Sequence, residues 1–137
     1  MNREELKKKY LVDNYYFVKI GEYNLVNNDL ERNIITNKLL TKECKLVYAF
    51  IVDDLVMYIG KTKQGFCRPL SYHRDYNNSK KRRSVHEGIR VVISKSKIEI
   101  FARVFKPITF EKFKINPYVG VEEAIIENYR LEWNNLK

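Results

Sequence analysis

The sequence predicts an α+β fold in which a small central three-stranded antiparallel sheet is flanked by helices. Two runs of apolar and aromatic residues, 47–52 and 55–59, surround the acidic pair Asp53-Asp54, which is the pattern of a β-hairpin. Residues 98–105 alternate between two faces and predict a third strand. Because the first two runs are continuous, we expect their strands to be buried on both faces of the sheet.

Four segments have the pattern of helices. Amphipathic spacing predicts the first helix at 2–12. The second is predicted at 66–76, beginning near Pro69, because proline is tolerated only in the first turn of a helix. A capping box and an apolar stripe predict the third at 84–93, and the fourth is predicted at 121–131.

The charge of the chain indicates its partners. A net charge of +9 and a pI of about 9.5 favour nucleic acid first and an anionic membrane second. The membrane is the weaker prediction, since no apolar run approaches the length of a span and no helix joins a basic face to an exposed apolar one. The N-terminus is charged from Arg3 onward, so we expect no signal peptide and a cytoplasmic location. Cys44 and Cys67 lack metal-ligand spacing and are expected to be reduced thiols.

A length of 137 residues is sufficient for one domain. We predict that residues 46–137 form the core. Residues 1–45 are predicted to form a helical and strand extension that packs on the core or contacts DNA. Residues 15–20 are compatible with a strand, but 13–45 has no clean period, and we assign no chemistry to it.

Several features occur at fixed spacings between residues 46 and 134. In chain order they are Tyr48, the triplet Tyr58-Ile59-Gly60, Arg68, Tyr72, Glu122 and Asn134. Arg68 is eight positions after Gly60, and Asn134 is twelve positions after Glu122. Together these features resemble the motifs of the GIY-YIG nucleases, and the chain looks most similar to small phage and restriction-type members of that family.

The chain departs from the family pattern at three positions. Leu46-Val47 stand where the first motif has Gly-Ile, and Leu131 replaces a proline. Pro69 directly follows Arg68 and is expected to disfavour an α conformation there, which affects the direction of the guanidinium.

The resemblance implies metal-dependent hydrolysis of a phosphodiester. Glu122 would ligate Mg²⁺ or Mn²⁺, which prefer oxygen ligands and need only one or two carboxylates. Arg68 would clamp the scissile phosphate with two hydrogen bonds, and Tyr72 would assist there. Tyr48 is the candidate base and Tyr58 the group that positions water, although the two roles can be exchanged.

Alternatives remain open at several of these positions. Glu123 competes with Glu122 if the register is shifted by one, Arg74 is the alternate to Arg68, and His73 is a substitute for Tyr72. A tyrosine can act as the base only if a nearby cation, such as Lys61 or Arg68, lowers its pKa. The supporting residues are Gly60, Lys61, His73 and Asn134, the last of which would hold the C-terminal segment by hydrogen bonds.

Basic side chains after the second motif are expected to contact DNA phosphates, which gives salt-dependent affinity rather than sequence specificity. They are Lys61, Lys63, Arg74, Lys80, Lys81, Arg82 and Arg83.

The resemblance therefore implies a metal-dependent endonuclease for double-stranded DNA, of restriction type or degrading host DNA for a phage, in a bacterial or phage-infected cell. Because one small site cuts one strand, we expect a homodimer or homotetramer. The alternatives are a nucleic-acid-binding module without catalysis and a nuclease for RNA.

Overall fold

The computed structural model describes residues 3–35, 43–78 and 84–135. The strands are β1 (Glu4–Glu5), β2 (Val18–Val26), β3 (Asp29–Ile34), β4 (Leu46–Val52), β5 (Leu55–Thr62), β6 (Ile98–Val104), β7 (Ile108–Phe110), β8 (Phe113–Ile115) and β9 (Tyr129–Arg130). The helices are α1 (Lys8–Tyr15), α2 (Tyr72–Asn77), α3 (Ser84–Val92) and α4 (Tyr118–Asn128), with short 3-10 turns at Gly65–Cys67, Pro69–Ser71 and Glu132–Asn135.

The central sheet is antiparallel with the strand order β3-β2-β6-β4-β5. The predicted sheet of three strands is therefore too small, because β2 and β3 extend it to five. Residues 15–20 are compatible with a strand, and β2 begins within them at Val18. The rest of β2 has no clean period in the sequence, because an irregularity between Lys19 and Gly21 shifts its register against β6. The strand that pairs with β2 is also far from it in sequence, since Val18 lies opposite Ala102 of β6.

The predicted hairpin is confirmed as β4 and β5, with Val52 paired to Leu55 across the turn. Asp53 and Asp54 have φ values of 48° and 69°, as a two-residue turn with two left-handed positions requires. All of β4 is buried, whereas β5 is an edge strand on which Lys61 is exposed. The edge of β5 is covered in part, because Leu6 accepts a hydrogen bond from the N–H of Val56.

The helices begin and end at different residues from those predicted. The first is α1 rather than 2–12, because residues 4–5 instead pair in parallel with β9. The predicted helix at 66–76 is two 3-10 turns followed by α2, whereas α3 closely matches 84–93. The helix predicted at 121–131 is α4, which starts one turn earlier. None of the helices in these described ranges is long and apolar enough to cross a membrane.

Apolar side chains cover both faces of the central sheet. One face carries Tyr48, Phe50 and Trp133 among its buried residues, and the other carries Val47 and Tyr118. Alternate residues of β6 point into the two clusters, as the sequence predicted. Adjacent residues of β4 therefore contribute to opposite sides of the sheet. On β5 the alternation is interrupted, because Met57 and Tyr58 both lie on the Tyr48 face where the register shifts.

The segment between β6 and α4 contains a second hairpin, formed by β7 and β8. Ile108 pairs with Ile115, and Phe110 pairs with Phe113, which places these four apolar side chains on one face. They are 44–66% exposed, so this hairpin contributes little to the core.

Two helical glycines provide a matched test of the packing. A Cβ added to Gly88 in α3 would overlap the indole of Trp133, whereas one added to Gly120 in α4 meets no atom within 4 Å. We expect Gly88→Ala to destabilise the protein by about 1–3 kcal/mol through overpacking. Gly120→Ala should instead stabilise it by up to about 1 kcal/mol through helix propensity. Urea unfolding of both variants measures the difference, and equal stabilities would contradict this packing.

Candidate active site

Three tyrosines lie together on one face of the sheet. The hydroxyls of Tyr48 on β4 and Tyr72 on α2 share a hydrogen bond with an O–O distance of 2.5 Å. The ring of Tyr58 on β5 lies 6.2 Å from that of Tyr48 and 6.4 Å from that of Tyr72, measured between centroids. Gly60 pairs with Tyr48 across the strands, and a Cβ there would lie 2.5 Å from Tyr48 Cζ. The glycine of the second motif therefore leaves the space that the Tyr48 ring occupies.

The environment of Tyr48 favours its neutral form. Its side chain is only 2% exposed, and this burial is the main reason why the pKa of its hydroxyl lies well above the usual value. The neighbouring hydroxyls of Tyr72 and Tyr58 raise the pKa further, whereas the charge of Arg68 lowers it. In this state Tyr48 is a hydrogen-bonding phenol rather than a base.

Arg68 lies beside this tyrosine cluster. Its guanidinium carbon is 4.4 Å from the centroid of the Tyr72 ring. The expectation that Pro69 disfavours an α conformation at Arg68 is wrong, since Arg68 has φ −67° and ψ −55°. The two 3-10 turns on either side accommodate the proline, and the Arg68 carbonyl accepts a hydrogen bond from the Ser71 hydroxyl.

Residues of the N-terminal segment hold the Arg68–Tyr72 stretch in place. The hydroxyl of Tyr23 on β2 donates to the carbonyl of Pro69 at 2.6 Å and accepts from the backbone N–H of Tyr72 at 2.9 Å. Arg32 on β3 donates to the carbonyl of Leu70 at 2.9 Å. Sequence reasoning missed these residues because nothing local to 13–45 marks them, and only the assembled sheet brings them to their partners.

Glu122 lies on the other side of β5. The Lys61 Nζ donates to Glu122 Oε1 at 3.0 Å, and the side chains of the two residues are 39% and 12% exposed, respectively. This hydrogen bond is the main reason why the pKa of Lys61 is raised, and the charge of Glu122 acts in the same direction. Glu123 is exposed, so the partly buried carboxylate at this helix is that of Glu122.

The residues at Glu122 fit a hard divalent cation that keeps several of its waters. Such a cation needs only one or two carboxylates together with substrate oxygens. The Lys61 ammonium, bonded to the carboxylate, shows that the position attracts positive charge. Within the described ranges no group of three His, Cys, Asp or Glu side chains is placed to hold a metal, so Glu122 has no further protein carboxylates or imidazoles in such a cluster.

Asn134 covers the free edge of β5 at Ile59, which lies between Tyr58 and Lys61 along the strand. Its side-chain amide accepts from the N–H of Ile59 at 2.8 Å and donates to the carbonyl of Ile59 at 2.9 Å. An amide side chain thus makes the pair of hydrogen bonds that a neighbouring strand would make. The C-terminal turn is held beside the residues that carry Tyr58 and Gly60.

The candidate residues therefore form two groups, one on each face of the edge strand β5. Tyr58 and Lys61 are three positions apart on β5, about 10 Å along the strand. Tyr58 faces the tyrosine cluster, whereas Lys61 reaches Glu122 on α4, which packs against the opposite face. A DNA backbone lying along the edge of β5 could contact the tyrosine cluster on one face and the Lys61–Glu122 pair on the other.

Solved structures share this arrangement of strands and helices. A mutant of bacteriophage T4 EndoII matches with a TM-score of 0.66 and 25% identity over 93% of this chain and 98% of its own. The chain has a GIY-YIG nuclease-like fold. The restriction endonuclease HPY188I, solved in complex with product DNA, matches with a TM-score of 0.56 and 19% identity over 97% of this chain and 84% of its own. No family model and no curated protein sequence matches the chain.

The GIY-YIG resemblance inferred from the motifs is thereby confirmed. The first of these structures is a GIY-YIG endonuclease, and the similarity to it supports the interpretation of this chain as a DNA endonuclease. The second supports the same fold. Both alignments cover nearly the whole chain, so the shared fold extends beyond the segment with the motifs.

The two histidines of this GIY-YIG-like fold lie beside the tyrosines. The His73 ring is 6.2 Å from that of Tyr23, and its pKa is lowered first by burial and then by the charges of Arg32 and Arg74. His86 is fully buried with its ring 5.4 Å from that of Tyr72. Burial places His86 in the core, as expected for a structural histidine.

The predicted DNA-binding residues are only partly covered by the described structure. Lys61 on β5, Lys63 just after this strand and Arg74 on α2 are exposed. The basic run at 80–83 lies outside the described residues.

The buried tyrosines predict a loss of stability at alkaline pH. Burial raises the pKa of Tyr23 and Tyr48 above the ordinary value of about 10 that they regain on unfolding. Above that pH the unfolded state loses these protons while the folded state keeps them, so the free energy of unfolding falls as pH rises. Each such group contributes up to about 1.4 kcal/mol per pH unit.

Urea unfolding between pH 8 and 11 measures this slope. Tyr48→Phe should make the fall above pH 10 shallower, because one titrating group is removed. Tyr16→Phe, at a side chain that is 68% exposed, is the control and should keep the slope of the wild type. The assignment is contradicted if the two variants have the same slope.

Proposed function

We propose that this protein is a divalent-metal-dependent endonuclease that hydrolyses phosphodiester bonds of double-stranded DNA, either in restriction or in degrading host DNA for a phage. The supporting observation is that β5 carries residues of both groups, with Tyr58 in the cluster of Tyr48, Tyr72 and Arg68 on one face and Lys61 bonded to Glu122 on the other. This arrangement occurs in a fold shared with two nucleases. We place this activity in the cytoplasm of a bacterial or phage-infected cell.

Glu122 is the proposed metal ligand. When bound, Mg²⁺ or Mn²⁺ supplies Lewis-acid stabilisation of the charge that develops on the phosphate and the leaving oxygen. Glu122 is suited to hold it because its carboxylate is partly buried and oriented toward β5. Asn134 supports this geometry by fixing the neighbouring part of the strand.

Arg68 is the proposed phosphate clamp. Its guanidinium is positioned by packing on Tyr72, and the backbone of its segment is held by Tyr23 and Arg32. A side chain held in this way stabilises transition-state charge without reorganising during the reaction. Arg74 is exposed and lies on the short helix α2, which makes it the poorer candidate for this role.

Tyr48 and Tyr58 are proposed to flank the attacking water. To act as a base, Tyr48 must lose its proton, and burial opposes this loss by raising its pKa. The charge of Arg68 already lowers that pKa. Positive charge gathered at the scissile phosphate would lower that pKa further. Tyr48 and Tyr72 are buried and share a hydrogen bond, whereas Tyr58 is the more accessible member of the cluster and the better placed to contact water.

A plasmid cleavage assay tests the site with matched pairs of variants. In the presence of Mg²⁺ we expect wild type to nick or linearise supercoiled DNA. Glu122→Ala should lower the rate by at least about 100-fold, whereas Glu123→Ala should cut within a few-fold of wild type. Arg68→Ala should lower the rate by about 10²–10³-fold, as expected for a preorganised charge at the transition state. Arg74→Ala should have the smaller effect, on DNA affinity alone.

Each pair has an outcome that overturns its assignment. Equal losses at Glu122 and Glu123 would show that the metal ligand is wrongly chosen, and a larger loss at Arg74 than at Arg68 would exchange the two arginines. Salt-sensitive DNA binding without products under any divalent metal would support a binding module instead. Cleavage of RNA but not of DNA would change the substrate while keeping the site.

We also propose that the active form is a homodimer or homotetramer. One site of this size cuts one strand, so a double-strand break requires a second copy placed by symmetry. Light scattering at the concentrations used for cleavage should give a mass at least twice the 16.5 kDa of the chain. A monomeric mass in a preparation that makes double-strand breaks would contradict this proposal.

A further inference from the structure

The Lys61–Glu122 pair places two groups of the proposed site in contact with each other. Lys61 is proposed to bind DNA and Glu122 to bind the metal, yet the ammonium donates directly to the carboxylate at 3.0 Å. A metal ligand that already holds a positive charge must release that charge to ligate a cation through the same oxygen. The hydrogen bond between Lys61 and Glu122 therefore belongs to the protein before metal and DNA bind.

Both partners are attached to regular secondary structure. Lys61 pairs with Val47 in the ladder between β5 and β4, so its backbone position is set by the sheet. Glu122 lies within α4, and its side chain is only 12% exposed. A partly buried carboxylate without a partner loses hydration, and Lys61 compensates for that loss. The backbone on both sides of the contact is thus fixed by the fold, and only the Lys61 side chain has to move for the contact to break.

We propose that Lys61 is a resident counter-ion that occupies the cation position at Glu122 and exchanges to a DNA phosphate when Glu122 binds a divalent metal. This inference rests on the proposed function, because it takes Glu122 as the metal ligand. Lysine suits the exchange, since its ammonium is a point charge on a flexible four-carbon stem and can change partners without a change in the backbone.

Two properties follow from this exchange. Lys61 competes with the metal for Glu122, so the affinity of the free protein for metal is lower than the carboxylate alone would give. A DNA phosphate that attracts Lys61 away from Glu122 removes the competitor, so DNA and metal strengthen the binding of each other. The site is thereby kept weakly loaded until its substrate is present.

Binding of Mn²⁺ to the DNA-free protein tests the competition without any cleavage. The free Mn²⁺ is measured by electron paramagnetic resonance in titrations of four proteins. Lys61→Met should bind Mn²⁺ about two- to fivefold more tightly than wild type, the range expected for releasing a partly exposed ion pair. Lys45→Met is the matched control, because it removes an ammonium that lies 5.9 Å from the Tyr118 ring of the same helix. It should bind as wild type does, and Glu122→Gln should lose the site.

The outcomes separate this inference from the proposed function. If Glu122→Gln binds Mn²⁺ as tightly as wild type, Glu122 is not the metal ligand, and the proposed function is overturned with it. Binding that depends on Glu122 but is no tighter in Lys61→Met than in wild type would overturn the counter-ion role alone. If Lys61→Met fails to fold, Lys61→Gln serves the same purpose, with thermal unfolding as the check. A gain shared equally by Lys45→Met would show a general charge effect and would also overturn the inference.

Discussion

The pairing of β4 between β5 and β6 is the constraint on which the rest of the structure depends. All seven residues of β4 are buried, so the strand is fixed on both faces and on both edges. Tyr48 takes its position from this strand, Gly60 makes room for the Tyr48 ring, and Lys61 is set by its pairing with Val47. Each candidate side chain on the sheet thus has a backbone whose position is set by the core, as a preorganised site requires.

The segment that carries Arg68 and Tyr72 is stabilised in a different way. It has only short 3-10 turns and a six-residue helix, which cannot be stable alone. Its backbone groups instead bond to side chains of the N-terminal hairpin, including Tyr23 and Arg32. At the end of α2 the amide of Asn77 makes two hydrogen bonds to Leu30 on β3. The N-terminal strands therefore contribute to the site through the geometry of this segment.

Charge in the candidate site is balanced in the absence of substrate. Burial keeps Tyr48 neutral, and Lys61 neutralises Glu122. Under the proposed function, both arrangements oppose the ionised tyrosine and the metal-ligating glutamate that hydrolysis would use. Metal and DNA phosphate would then supply the charges that reverse them, so the proposed activity would depend on the presence of DNA.

The sequence alone determined the β4–β5 hairpin, β6 and α3, because their patterns are local: continuous apolar runs, strict alternation and a capping box. It also identified Tyr58, Arg68 and Glu122 as candidates through their spacing. Only the tertiary structure decided the strands β2 and β3, whose pairing is non-local and whose alternation is interrupted near Gly21. Tertiary structure also decided that Arg68 is helical despite the proline after it, because hydrogen bonds from distant strands outweigh a local backbone preference.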